Sequence, residues 1–170
     1  MPIKLCIAPE RPQDSQKVED LMDLGFGADR LQRPAYRLRT KDQWERRLSF
    51  VALDTQGITR GAIRFWPVRL NGDLSHVLLG PLAMDPPERG KGIAKALISR
   101  GLDAARSRGW KLCFVIGAPE IYRRFGFSNA YHLGFRLPVE ESTRKFQVLE
   151  LEYGALSQTN SGGMLTEKGC

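Results

Sequence analysis

Small and basic residues alternate in a short stretch that follows an apolar run. Arg89, Gly90, Lys91 and Gly92 precede Ala94 and a segment with the apolar spacing of a helix. The first turn of a helix has four N–H groups without an intrahelical partner and a partial positive charge, so anionic oxygens bind there. Because glycine and alanine leave the main chain accessible, the stretch predicts a site for linked phosphate groups.

The spacing of these residues differs from two common phosphate-binding loops. A dinucleotide-binding turn requires G-x-G-x-x-G, and here the third small residue, Ala94, comes one position early. A Walker loop requires G-x-x-x-x-G-K-[ST], and Gly80 is followed five residues later by Asp85. The structural alternative is a helix whose small first residues serve tight packing on a sheet and bind no phosphate.

A second candidate for chemistry follows the next apolar run, Leu112–Ile116, which is typical of a strand covered on both faces. Pro119 can begin a short helix after it, and Gly126 can end that helix. Tyr122 lies between them, and its phenol, with an ordinary pKa near 10, can donate a proton at neutral pH. Tyr122 and Phe125 also fit the alternative of ordinary core aromatics.

The two motifs, in this order, resemble those of the GNAT superfamily of N-acetyltransferases. The first is Arg-x-x-Gly-x-Ala at residues 89–94, and the second is Tyr122 followed four residues later by Gly-Phe. Segments 35–39 and 63–68 are similar to those of a bacterial, YhbS-like subgroup. The resemblance spans roughly residues 3–153.

This resemblance implies an acetyl-CoA-dependent N-acetyltransferase. Such an enzyme moves an acetyl group to a primary amine of a small molecule or protein, by direct attack in a ternary complex. The co-substrate implied is acetyl-CoA or another short acyl-CoA, with no metal. The alternative is a non-catalytic acyl-CoA-binding sensor or a partner-binding domain that keeps the same cradle.

The resemblance also implies roles for individual residues. Tyr122 is the expected general acid for the departing thiolate, and the main chain of Leu82, Ala83 and Met84 is expected to hold pantetheine and the acetyl carbonyl. The residues expected to bind the diphosphate are Arg89, Gly90, Lys91, Gly92, Ile93 and Ala94.

The acceptor side is less defined by the sequence. The family's usual acceptor pocket nominates Tyr36, Arg37, Arg39 and Trp66, whose arginines either bind a carboxylate or phosphate or face solvent. An amine with a pKa of about 10 is only about 0.1 per cent neutral at pH 7, so a base should accept its proton. Three residues are candidates for this base by position: His76, Asp85 and Glu120.

The apolar runs predict elements in the order β-α-(α)-β-β-β-α-β-α-β-β, which is an α/β (α+β) fold. We expect a mixed, mostly antiparallel sheet of six to seven strands with helices on both faces, and the resemblance adds splayed central strands. Asn71 and Gly72 predict a hairpin. Segment 28–41 is expected to be partly helical at best, and 127–137 to be a strand.

Length and composition indicate a single domain that spans residues 1–153. The Ser-, Thr-, Asn- and Gly-rich tail 154–170 is expected to be mobile, because it has little apolar surface to offset its ordering entropy. The formal net charge of +7 suits an anionic cofactor. Nucleic-acid binding is disfavoured because no block of five or six like charges occurs.

The remaining expectations concern compartment and assembly. The first residues lack the pattern of a signal peptide, and no apolar stretch approaches the roughly 20 residues that cross a bilayer. Cysteine and histidine spacing matches no zinc motif. We expect a cytoplasmic protein, monomeric or homodimeric, with no membrane partner.

Overall fold

An open mixed sheet forms the centre of the protein, and the computed structural model describes residues 4–40, 43–159 and 162–169. Its strands are β1 Cys6–Pro9, β2 Phe50–Leu53, β3 Thr59–Leu70, β4 Asp73–Met84, β5 Leu112–Ile116, β6 Ser128–Asn129, β7 Phe135–Arg136, β8 Phe146–Glu150 and β9 Gly163–Glu167. They pair in the order β1-β2-β3-β4-β5-β8-β6, and β9 pairs with both β3 and β7. Only the pairs β4–β5 and β7–β9 are parallel among the described strands, which confirms a mixed, mostly antiparallel sheet.

Helices connect and cover these strands. The α-helices are α1 Ser15–Phe26, α2 Ile93–Ser107, α3 Pro119–Tyr122 and α4 Ala155–Gln158. Short 3-10 helices occupy Pro12–Asp14, Arg30–Gln32, Pro34–Leu38, Arg46–Leu48, Pro86–Glu88, Arg123–Phe125 and Tyr131–Leu133. Among the described helices, none has the length and apolarity that crossing a membrane requires.

The two long helices cover opposite faces of the sheet. Successive residues of a strand face opposite sides, so neighbouring residues of β3 report on both faces. Ala62 packs in a buried cluster with Leu21 of α1, whereas Ile63 packs in another with Leu97 of α2. The predicted arrangement of helices on both faces is therefore confirmed.

Strands β4 and β5 separate part-way along their length. Their parallel pairing begins where His76 faces Leu112 and ends where Leu79 faces Val115. Beyond this point β4 continues to Met84, still paired with β3 on its other side. In the described part of the chain, the final residues of β4 thus have no strand on the β5 side, as expected for splayed strands.

Segment 127–137 is not the continuous strand that its apolar residues predict. It forms the short strands β6 and β7, separated by the turn Tyr131–Leu133. Gly134 ends this turn with φ +93°, a left-handed conformation that only glycine adopts without strain. The backbone therefore changes direction in the middle of the predicted strand.

Part of the tail 154–170 forms regular secondary structure. Within it, β9 pairs with β3, where Leu70 faces Leu165. Leu165 is fully buried beside Phe135, and the Asn71 side chain donates a hydrogen bond to the Gly162 carbonyl at 3.1 Å. One buried leucine and a strand ladder anchor a segment whose average composition is polar. Residues 160–161 and 170 lie outside the described residues.

Candidate functional site

A cavity of about 550 Å³ lies where β4 and β5 separate, and we call it the β4–β5 cleft. Leu82 and Met84 line it from β4, Ile116 from β5 and Ala94 from α2. This volume is typical of small-molecule sites in proteins. The splay of two central strands therefore produces a site that can admit a ligand between them.

The N-terminus of α2 lies open beside this cleft. Gly92 is its N-cap residue, with φ +82°, and Gly90 has φ +80°. A Cβ atom added at either glycine would meet none of the described atoms within 4 Å. The free N–H groups of the first turn are thus not covered by side chains near these glycines, and a phosphate-sized group fits there.

Basic and apolar side chains around this helix start have different surroundings. Arg89 is exposed. The Lys91 Nζ lies 3.3 Å from Oε2 of Glu88, a buried carboxylate that offsets part of its charge. Ile93 is buried in the core under α2, so it can offer a ligand only its main chain.

The end of β4 presents one free backbone edge to the cleft. Leu82 and Met84 line the cavity, whereas Ala83 is 5% exposed and packs toward α1. Main-chain N–H and C=O groups alternate between the two edges of a strand, and β3 satisfies only one edge of this segment. The other edge can bind the amide groups of an extended ligand as a neighbouring strand would.

Tyr122 lines the cleft and is held tightly. Its side chain is 7% exposed, and its ring meets Phe127 edge to face with centroids 5.7 Å apart. A Cβ atom at Gly117 would lie 2.5 Å from Cε2 of Tyr122, so the ring packs directly on the glycine backbone. Burial raises the pKa of Tyr122 to about 12, which keeps the phenol protonated at neutral pH.

A second cavity, of about 520 Å³, adjoins the first. We call it the tryptophan cavity because Trp44 and Trp66 line it. Tyr36, Arg39 and Pro81 line both cavities and so form the wall that they share. The two cavities are therefore neighbours.

Comparison with known proteins identifies the family. Residues 45–129 match the acetyltransferase (GNAT) domain family. The chain is 33% identical over 154 residues to the protein named uncharacterized N-acetyltransferase YhbS of Escherichia coli (strain K12), covering 90% of this chain and 91% of that protein. The chain belongs to the GNAT family of N-acetyltransferases. The predicted superfamily and its YhbS-like subgroup are confirmed.

Solved GNAT structures share this fold. The crystal structure of Escherichia coli YhbS in complex with CoA has a TM-score of 0.84 and 31% identity, covering 98% of this chain and 91% of that chain. A GNAT acetyltransferase from Brucella melitensis in complex with acetyl-CoA has a TM-score of 0.62 and 29% identity, covering 88% and 89%. The predicted fold class and the predicted acyl-CoA co-substrate are thus supported by relatives that bind CoA and acetyl-CoA.

The GNAT acceptor residues nominated from the sequence separate into two groups. Tyr36, Arg39 and Trp66 line the cavities, whereas Arg37 is exposed and lines neither of those two. Arg39 Nε donates to the Gly80 carbonyl at 3.3 Å, and its guanidinium lies 4.7 Å from the centre of the Tyr36 ring. Burial lowers the pKa of Arg39.

The three predicted base candidates make other contacts in this GNAT domain. His76 is buried with its Nε2 atom 3.5 Å from Oδ2 of Asp73. Asp85 forms an ion pair with Arg60 at 3.1 Å, and Glu120 forms one with an exposed arginine. None of the three candidates lines the β4–β5 cleft.

Sequence reasoning missed two residues that line the cavities. Glu141, in the loop between β7 and β8, is the only carboxylate among the described residues that line the cleft. Trp44 lies beside Trp66, with ring centroids 5.8 Å apart. One signal could have found Glu141, which is its position in the sequence just before a predicted last strand, where the acceptor side is built. No group of three or more potential metal-ligating side chains occurs within the described ranges.

Proposed function

We propose that this protein transfers an acetyl group from acetyl-CoA to a primary amine of a small molecule or protein, with both substrates bound at once. The observation that carries this proposal is the β4–β5 cleft, which has the open start of α2 beside it and the protonated Tyr122 phenol within it. Acetyl-CoA supplies the activated acetyl thioester. The residues of the chain bind it, orient it and control the protons.

In this proposal, the start of α2 binds the diphosphate. The main-chain N–H groups from Arg89 to Ala94, including those of Gly90, Lys91, Gly92 and Ile93, donate to the phosphate oxygens. Arg89, which is exposed, adds a positive charge at the same place. Glycine suits positions 90 and 92 because both have left-handed backbone and open space beside them.

The free edge of β4 orients the reacting end. The main chain of Leu82, Ala83 and Met84 pairs with the pantetheine amides, and an N–H near Met84 polarises the acetyl carbonyl. A positioned N–H donor of this kind contributes about 3 kcal/mol to catalysis. Proximity of the two bound substrates adds to this effect.

Tyr122 acts on the leaving sulfur and Glu141 on the attacking amine. The Tyr122 hydroxyl donates to the sulfur as the thiolate leaves, and its pKa of about 12 keeps the donor protonated across the neutral range. Because a thiol has an ordinary pKa near 8.5, this tyrosine stabilises the thiolate mainly as a hydrogen-bond donor. Glu141 accepts the proton of the attacking amine, directly or through one water molecule.

Thermal unfolding with acetyl-CoA tests the cofactor first. A ligand at about 100 times its dissociation constant stabilises a protein by about 2.7 kcal/mol, which is several degrees for a domain of this size. Release of free thiol across a panel of amines then tests turnover. No shift with any CoA species would contradict the proposal, and a shift without thiol release would indicate a non-catalytic acyl-CoA sensor.

We also propose that the protein works in the cytoplasm. Cys6 and Cys113 are free thiols in the described part of the chain, which suits a reducing compartment. Fractionation of cells that express the protein with a small tag would test this location. Recovery of the protein outside the cytoplasmic fraction would contradict it.

A further inference from the structure

The Arg39 guanidinium lies at the point where β4 and β5 begin to separate. Its Nε donates to the carbonyl of Gly80 at 3.3 Å, and Gly80 directly follows Leu79, the last residue of β4 that pairs with β5. The guanidinium carbon lies 4.7 Å from the centre of the Tyr36 ring. Because Tyr36, Arg39 and Gly80 all line the β4–β5 cleft, the charged end of Arg39 borders this space.

The Arg39 guanidinium keeps donors that the protein does not use. Within the described ranges, the bond to Gly80 is the only hydrogen bond of the Arg39 side chain, and no carboxylate lies within ion-pair distance of it. Arg39 is half-buried, and neither terminal nitrogen is among the unpaired polar atoms that are fully buried in those ranges. Both terminal nitrogens are therefore accessible, and an arginine fork can donate two parallel hydrogen bonds to a carboxylate.

Arg39 is too far from the start of α2 to bind the diphosphate. A Cβ atom at Gly61 would lie 3.2 Å from Met84 and 3.3 Å from Ile93, so the end of β4 lies beside the first residue of α2. Gly80 comes four residues before Met84. A strand rises about 3.3 Å per residue, so Arg39 and the start of α2 are separated by roughly 10 Å of β4. The charge of Arg39 can thus serve a different anionic group.

An acidic side chain lies near Arg39 without pairing with it. Burial lowers the pKa of Arg39, and Tyr122 and Glu141 are among the groups that oppose this shift. Electrostatic effects weaken with distance, so both groups lie in the same part of the cleft as Arg39. Glu141 and Arg39 therefore present opposite charges to one space without direct contact. A ligand that carries both an amine and a carboxylate complements this pair.

The other charges of the cleft also favour an anionic group on the ligand. Arg33 and Lys145 line the cleft beside Arg39, whereas Glu141 is the only carboxylate that lines it among the described residues. Arg33 and Lys145 are exposed, so water and salt weaken their attraction for a ligand, and the half-buried Arg39 is screened less. A diamine is disfavoured by this excess of positive charge, and an amine with a negative group is favoured.

We infer that the acceptor is a primary amine that also carries a carboxylate, and that Arg39 binds this carboxylate. The terminal nitrogens of Arg39 donate to the two carboxylate oxygens, and the amine is directed toward Glu141 and the acetyl thioester. Arg39, Glu141 and Tyr122 all line the β4–β5 cleft, so the acceptor and the thioester meet within one cavity. This inference rests on the proposed acetyl transfer and names the class of its second substrate.

Matched pairs of amines test the class. The pairs are L-leucine, β-alanine, γ-aminobutyrate and ε-aminocaproate, each with its neutral carboxamide, and cadaverine is the added diamine. The measurement is free-thiol release from acetyl-CoA at fixed pH, with kcat/KM expressed per neutral amine to remove differences in amine pKa. In the pair whose length fits, we expect the carboxylate to exceed the carboxamide by about tenfold or more, because hydrogen bonds between charged groups are worth this much. Cadaverine should be the poorest substrate.

Arg39→Gln tests the assigned residue. The Nε2 of glutamine can occupy the place of the Arg39 Nε and donate to Gly80, whereas the terminal nitrogens are lost. We expect kcat/KM for the preferred carboxylate to fall by about tenfold, mainly through KM, and that for its carboxamide to change little. A purely structural role of Arg39 would lower both equally. Arg37→Gln is the matched control, because Arg37 is an exposed neighbour that lines neither cavity, and it should keep the preference.

The outcomes separate this inference from the proposed function. A normal acetyl-CoA thermal shift in both variants shows that the fold and the cofactor site are intact, and the pairs measured on the unmodified protein decide even where a variant does not fold. The inference is overturned if the carboxamide or cadaverine matches the carboxylate in every pair, or if the preference survives in Arg39→Gln. Thiol release with no amine at all, or no acetyl-CoA shift, would contradict the proposed function and with it this inference.

Discussion

The Tyr122 ring packs tightly against Phe127 and the Gly117 backbone, and its hydroxyl can be removed without changing these contacts. Tyr122→Phe keeps the contacts with Phe127 and Gly117 and removes only the donor. We expect turnover to fall by about a hundredfold, because removing one positioned hydrogen-bond donor from a developing negative charge costs about this much. The acetyl-CoA thermal shift should persist. An unchanged rate of thiol release would contradict the assigned role.

If Glu141 accepts the proton of the amine, its removal should lower kcat/KM most at pH values at which the amine is protonated. Glu141→Gln is expected to lower kcat/KM at pH 7 by about a hundredfold. The difference from the unmodified protein should narrow as pH rises above the pKa of the amine, because the acceptor is then neutral without help. The measurement is a pH profile of thiol release with one amine.

Glu140→Gln provides the matched control for this base. Glu140 is an exposed neighbour that does not line the β4–β5 cleft. Its variant should keep the profile of the unmodified protein. Parallel profiles for Glu141→Gln and Glu140→Gln would exclude Glu141 as the base and leave water to accept the proton.

Replacing an arginine by glutamate should affect acetyl-CoA affinity at the start of α2 but not near its C-terminal end. Arg89→Glu places a negative charge beside the free N–H groups, where it repels a diphosphate. Acetyl-CoA should bind at least about tenfold more weakly, and its thermal shift should shrink. Arg106→Glu makes the same change near the C-terminal end of α2 and should leave acetyl-CoA affinity unchanged. Equal effects on affinity would contradict a diphosphate site at the start of α2.

Strands and turns were predictable from the sequence where adjacent residues determine them. Asn71 and Gly72 adopt the left-handed conformations that a tight hairpin requires, so the meander of β3 and β4 follows from adjacent residues. Gly134 breaks an apolar run whose composition alone favours a strand. Leu165 anchors the tail through pairing with a strand far away in sequence, which composition cannot reveal. Trp44 became a candidate only when the fold placed it beside its partner.

The stability of the folded protein should depend on pH through His76, a buried histidine near the β3–β4 hairpin. Among the groups around His76, the Asp73 carboxylate favours the charged imidazole and Lys111 opposes it, while Phe114 packs against the ring. Burial outweighs the carboxylate and lowers the pKa of His76 below its ordinary 6.5. The folded protein therefore takes up this proton less readily than the unfolded chain does.

Stability should accordingly fall as the solution becomes more acidic. The contribution of His76 is complete above its unfolded pKa of about 6.5 and is lost as pH falls below that value toward the folded pKa. We expect the melting temperature to decrease steadily between about pH 7.5 and pH 5.5. In His76→Gln this slope should flatten, whatever its effect on the melting temperature at neutral pH. His132→Gln, which removes an exposed histidine, should keep the slope, and an equal slope in both variants would show that His76 is not the group that titrates.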